Sequence, residues 1–218
     1  MPEAKPAPTE LKIALAQANP VVGDIDGNLS KLAEMRSRAA ALGADLVVFP
    51  ELFVTGYPPE DLVLKPAFEA AAQERLHAFA AQMGPGPAVL TGTVWAEAGK
   101  AYNAVVLLDE GRVAAVRYKV DLPNYGVFDE KRVFAQGPLP DPIPFRGVKI
   151  GAPICEDICR PEVATHSAAA GVETLLVPTC SPFDCTKPSL RHHTAPAALM
   201  DTRRLLIPSY PGANHTPL

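Results

Sequence analysis

The stretch that most constrains this chain is Gly147–Asp157, G-V-K-I-G-A-P-I-C-E-D. Val148, Ile150 and Ile154 are β-formers, and the run turns from apolar to acidic directly after Cys155. A buried strand that ends this way delivers a cysteine at its carboxyl edge, where open α/β sheets place their chemistry. Cys155, followed at once by Glu156 and Asp157, is therefore a candidate nucleophile. The alternative is a buried structural thiol, since free cysteine is among the most buried residue types.

The 218 residues fit one large domain or two small ones, with ample length for a core. A chain 48% apolar and 20% charged is globular. Its net charge of −4 argues against a nucleic-acid partner. No apolar run approaches the ~20 residues of a membrane span. Met1–Glu10 lacks the apolar core of a signal peptide and reads as a disordered lead-in. Four cysteines without a secretory signal point to reduced thiols and a cytoplasmic location.

Along the chain, Leu11–Gln17 alternates as a first strand. Asn28 can cap a helix running to about Leu42, with Gly43 as its C′ residue. Asp45–Phe49, D-L-V-V-F, is a short apolar run and so a buried strand, which leaves Glu51 at its carboxyl end. A solvated loop acid is the plainer reading of Glu51. Pro66 suits the first turn of a helix reaching about Met83. Ala88–Trp95 is a strand, and Tyr102–Leu108 and Arg112–Lys119 form a hairpin across Asp109-Glu110-Gly111. Antiparallel pairing therefore enters the sheet. Lys119 ends the second hairpin strand, where a surface lysine with a snorkelling stem is the usual occupant. Pro161–Ala170 is a short helix and Thr174–Val177 another strand.

Three strand ends thus offer Glu51, Lys119 and Cys155. A thiolate attacks a carbonyl or nitrile carbon, a carboxylate takes the thiol proton and later activates water, and an ammonium stabilises both thiolate and oxyanion. The set suits hydrolysis of a carbon–nitrogen bond through a covalent acyl-enzyme.

The motifs F-P-E at Phe49–Glu51, Y-K-V-D-L-P at Tyr118–Pro123 and I-C-E-D at Ile154–Asp157 make the chain resemble the nitrilase, or carbon–nitrogen hydrolase, superfamily. Gln17–Asp24, Gly56–Leu62, Leu122–Phe134 and Ser181–Asp184 look like the glutaminase branch found in glutamine-dependent NAD synthetases. The resemblance covers roughly Leu11 to Lys187. It implies an α/β fold: an α-β-β-α sandwich with mixed sheets, dimerising or assembling further. It implies Glu51 as general base, Lys119 as electrostatic stabiliser, Cys155 as nucleophile and Glu130 as a supporting glutamate. Tyr125 and Ser181 match positions that help hold glutamine. The amide step needs no cofactor; ATP belongs to a separate synthetase domain that amidates nicotinic acid adenine dinucleotide with the released ammonia.

The remaining cysteines carry less. Cys155, Cys159, Cys180 and Cys185 with His192 and His193 lack the C-x2-C spacing of a zinc site, so no metal is expected. The resemblance fades from about Cys185, and the expected division is a lead-in over 1–10, a hydrolase domain over 11–187 and a divergent tail over 188–218. Lys187–Leu218 carries four basic residues against one acid, unlike the acidic remainder. Leu205-Leu206-Ile207 is the one apolar run left there to supply a strand, with Pro208 expected to end it. A shortened glutaminase domain, a stand-alone amidase of another small amide and an inactive fragment all remain open on sequence grounds.

Overall fold

The computed structural model describes residues 10–180 and the backbone of Leu205–Ser209. Two sheets face each other. The first has the order β1 (Ile13–Leu15), β2 (Leu46–Val48), β3 (Ala88–Glu97), β4 (Lys100–Asp109), β5 (Arg112–Tyr118). Its first three strands run parallel and the last three form an antiparallel meander. The second sheet joins β6 (Ile143–Phe145), β7 (Val148–Gly151), β8 (Thr174–Pro178) and β9 (Leu205–Ser209). There β6 and β7 are an antiparallel hairpin, and β7, β8 and β9 are parallel.

Period-two alternation divides each apolar run between two layers. Val47, Val89, Val106 and Leu108 turn toward α1 (Ile25–Ala41) and α2 (Pro66–Gln82), meeting Leu29, Leu32, Ala72 and Leu76. Their neighbours Leu46, Val48, Leu90, Val105 and Leu107 face the second sheet and pack on Ile143, Phe145, Ile150, Ile154 and Leu176. Val172, Leu175 and Val177 form a further small core with Ile158, drawn from the segments before and after α4 (Pro161–Ala169). The result is the expected α-β-β-α sandwich with mixed sheets. Among the described residues no helix is long and apolar enough to cross a membrane.

The hairpin turn is as read: Glu110 and Gly111 both take positive φ, the signature of a two-residue turn that matches strand twist. Three boundaries differ. α1 starts at Ile25 and is capped by Asp24, whose Oδ1 accepts the Gly27 N–H at 2.9 Å. Asn28 is instead buried, with its amide bonded to Val21 and to the Val54 carbonyl. β1 is only three residues long. β9 continues through Pro208, which pairs with Val177 on an edge strand, where a missing N–H is tolerated. Apart from β9, residues 181–218 lie outside the described residues; that includes Ser181, Cys185, His192 and His193.

Candidate active site

Glu51 follows β2 by three residues. Phe49 N–H still bonds the Leu90 carbonyl at 2.8 Å, after which the chain turns over β3. Gly92 makes that turn possible: its N–H reaches the Pro50 carbonyl and its carbonyl accepts from Val54. A Cβ at Gly92 would stand 2.1 Å from the Leu52 nitrogen and 2.7 Å from the Glu51 Cα. Leu52 takes a φ of +47°, a region costly for residues other than glycine. The local chain is thus held in a high-energy turn that aims the Glu51 carboxylate inward.

Lys119 directly follows β5, with its N–H on the Asn103 carbonyl and its carbonyl accepting from Gly137. The side chain does not snorkel. It is 1% exposed, and its Nζ donates to Glu51 Oε1 at 2.6 Å and to Glu130 Oε1 at 2.8 Å. Glu130 opens α3 (Glu130–Val133), a single turn anchored by its N–H on the Pro123 carbonyl. Glu130 Oε1 also accepts from the Tyr57 hydroxyl at 2.9 Å.

Cys155 stands four residues beyond the end of β7, as the first residue of a 3₁₀ turn reaching Cys159. Its φ is +48°, again a strained value for a residue other than glycine. Asp157, fully buried, fixes this turn. Its Oδ2 accepts the Ile154 N–H at 2.9 Å, and its Oδ1 accepts those of Val120 and Asp121 at 3.0 and 2.7 Å. One carboxyl therefore joins the cysteine turn to the segment after Lys119. The Cys180 N–H, just past β8, closes the ring by donating to Glu51 Oε2 at 3.0 Å.

Burial pushes the Cys155 thiol well above its ordinary range, and the nearby Glu51 adds to this; Lys119 and the Cys180 N–H oppose it. Cys155 itself is half-buried, so its side chain sits between this cluster and the open side of the turn. Burial works against the charge of Lys119, but Glu51, Cys155 and Glu130 together hold its pKa above normal, so it stays an ammonium. Glu130 is raised by burial and by Glu51, with Lys119 pulling the other way. Burial lifts Asp157 to about 7 against the pull of its backbone N–H partners.

The structure therefore gathers Glu51, Lys119, Glu130 and Cys155 into one cluster. Tyr125 stands at its outer side, 57% exposed, with its hydroxyl on Glu156 Oε1 at 2.8 Å. It borders an open cavity of about 430 Å³ with Asp121, Lys131, Glu156 and Arg160. Ser181 lies outside the described residues.

Sequence reasoning missed Asn103 and Tyr57. Asn103 is fully buried on β4, and its Nδ2 donates to Glu51 Oε1 at 2.8 Å and to Glu130 Oε2 at 3.4 Å. The available signal was a lone asparagine in the apolar strand A-Y-N-A-V-V-L-L, where asparagine is disfavoured. Tyr57 sits in an aromatic loop whose residues gave no cue to which one turns inward.

A buried acid–lysine–acid cluster beside a cysteine on a strained turn, in an α-β-β-α sandwich, holds the residue types that hydrolysis of a carbon–nitrogen bond calls for. The chain belongs to the carbon–nitrogen hydrolase family, whose model matches residues 12–215. It is 44% identical over 191 residues to a glutamine-dependent NAD(+) synthetase of Rhodobacter capsulatus, and 41% identical over 184 residues to that of Thermotoga maritima. These matches take in 88% and 83% of this chain but only 35% and 32% of those proteins, so the chain spans about a third of their length. The fold is similar to the glutamine-dependent NAD+ synthetase of Acinetobacter baumannii in complex with ADP, with a TM-score of 0.85, 35% identity, and coverage of 91% of this chain and 38% of that one. It is also similar to a Nesterenkonia sp. AN1 amidase variant bearing acrylamide at its active-site cysteine, with a TM-score of 0.80, 30% identity, and coverage of 92% and 78%.

Proposed function

We propose that this chain hydrolyses the side-chain amide of glutamine through a thioester on Cys155. The observation that carries the reading is the Lys119 ammonium held between Glu51 and Glu130 at 2.6 and 2.8 Å, beside the strained turn that presents Cys155. Glu51 takes the thiol proton as sulfur attacks the amide carbon. Lys119 faces the oxygen that becomes negative. Collapse breaks the C–N bond, and the proton held by Glu51 leaves on nitrogen as ammonia. Glu51 then takes a proton from water, whose oxygen cleaves the thioester to glutamate and restores the thiol. Cysteine, carboxylate and ammonium supply nucleophile, base and electrostatic partner, so this step calls for no cofactor. Tyr125 and Ser181 are assigned to substrate contact, and the name of the curated relatives, glutamine-dependent NAD(+) synthetase, supports use of the released ammonia in forming NAD.

Amide hydrolysis on a different small substrate is the second reading, favoured by the larger share of the Nesterenkonia amidase that the chain matches. Ammonia release from glutamine, propionamide and acrylamide separates the two. Mapping with a glutamine-like chloroketone tests the nucleophile: Cys155 should be modified ahead of Cys159, although Cys159 is the more exposed. Equal labelling of both would remove the case for an activated site.

A further inference from the structure

Among the described residues, Asn103 is the one neutral side chain that touches both carboxylates of the cluster. Its Nδ2 lies 2.8 Å from Glu51 Oε1 and 3.4 Å from Glu130 Oε2. The orientation follows from chemistry: reversing the amide would set its carbonyl oxygen against two carboxylates, whereas the –NH2 end offers two donors. Its Oδ1 is buried and finds no hydrogen-bond donor among the described residues. A buried unpartnered carbonyl costs stability, and an apolar residue on this otherwise apolar strand would carry no such cost. Something other than packing favours asparagine here.

The charge balance shows what that is. Two carboxylates share one ammonium, and two like charges this close oppose each other's ionisation. Lys119 bridges Glu51 Oε1 to Glu130 Oε1. Asn103 bridges Glu51 Oε1 to Glu130 Oε2, adding donor capacity without adding charge. With Glu51 Oε1 occupied by these two donors, Oε2 is left to the Cys180 N–H on the side of Cys155. Resting on the hydrolase reading above, we infer that Asn103 is a positioning residue. It divides the work of the two Glu51 oxygens and holds that carboxyl group in place beside Cys155.

The groups facing Asn103 are Glu51, Glu130 and Lys119, with Tyr57 and Cys155 one bond further out. The test compares Asn103→Leu with Asn103→Asp. Leucine removes the donor at every pH. Aspartate adds a third carboxylate, which must hold a proton to coexist with the other two; once protonated, its O–H donates to one of them. Asn103→Leu should lower kcat for glutamine by about ten- to a hundredfold, the value of a hydrogen bond to a buried charge, with KM within about threefold. Asn103→Asp should be as impaired near pH 8 and gain on Asn103→Leu by about tenfold or more as pH falls toward 5.5. Equal impairment of both variants at every pH, with melting temperatures near that of the unaltered chain, would overturn the inference. So would an Asn103→Leu variant within about threefold of the unaltered kcat. If the unaltered chain releases no ammonia, the hydrolase reading fails on its own. Carbamoylmethylation of Cys155 by iodoacetamide then reports the same effect, and absence of the pH-dependent split between the variants there would again overturn the role.

Discussion

Replacing Gly92 by alanine adds one methyl group at the tightest point of the site. Gly92 does not need positive φ, so a Gly→Ala change would ordinarily stabilise by about 0.4–1 kcal/mol through the unfolded chain. Here the new carbon would lie 2.1 Å from the Leu52 nitrogen and 2.6 Å from the Glu51 carbonyl carbon, both main-chain atoms that no rotamer change can move away. Relieving contacts that short requires the 50–54 turn to lift by about 1 Å or more. Overpacking of this kind typically costs about 1–3 kcal/mol, which outweighs the entropic gain. The melting temperature of a chain this size should fall by about 2–10 °C. Because Glu51 rides on the displaced turn, turnover should fall further than stability: a 1 Å misplacement can cost about a hundredfold. Gly84→Ala is the control. Its Cβ meets nothing within 4 Å but its φ is +59°, so it should lower the melting temperature slightly and leave turnover alone. Differential scanning fluorimetry and glutamine-dependent ammonia release on both variants make the comparison. A Gly92→Ala variant with undiminished turnover and an unchanged melt would refute the steric reasoning.

Lys119→Met leaves Glu51 and Glu130 buried without a cation, a loss of about 3–5 kcal/mol. Adding Glu130→Gln should restore part of it, and thermal melts of the single and double variants would show that non-additivity. Asp157, whose pKa is about 7 in the fold against ~3.9 unfolded, holds its proton more tightly when folded. Its stabilising contribution is full below about pH 4 and fades as pH rises through 7, so the melting temperature should decline across that window. Asp157→Asn should flatten this slope while lowering the low-pH plateau, because an amide cannot accept on both sides. Glu51→Gln should abolish turnover while leaving the fold intact; ordinary amidase rates in that variant would remove the general-base role.

The sheet layers were legible because apolar runs such as Asp45–Phe49 and Tyr102–Leu108 carry their own period. Glu51, Lys119 and Cys155 were legible as candidates because polarity changes abruptly there, just past β2, β5 and β7. The β6–β7 hairpin was half hidden: Ile143-Pro144-Phe145 is short and contains a proline, which demotes a strand reading. The start of α1 was misplaced because both Asp24 and Asn28 are good caps, and only the tertiary pull of Val21 and Val54 on Asn28 decides between them. Asn103 and Tyr57 were illegible as site residues for a related reason. Their roles depend on distant partners: Asn103 is 52 positions from Glu51, and Tyr57 is 73 from Glu130.

The ring of bonds around Glu51 also has a kinetic meaning. It is closed by Lys119, 68 residues away, and by the Cys180 N–H, 129 residues away and just past β8 of the other sheet. Contacts of such long range form late, after the entropy of loop closure has been met. The helix-packed half can acquire secondary structure from local contacts while Cys155 is still an ordinary thiol. During refolding, helical circular dichroism should therefore recover before Cys155 gains selective reactivity. A chain at that intermediate stage would be shaped like much of the enzyme and yet chemically silent.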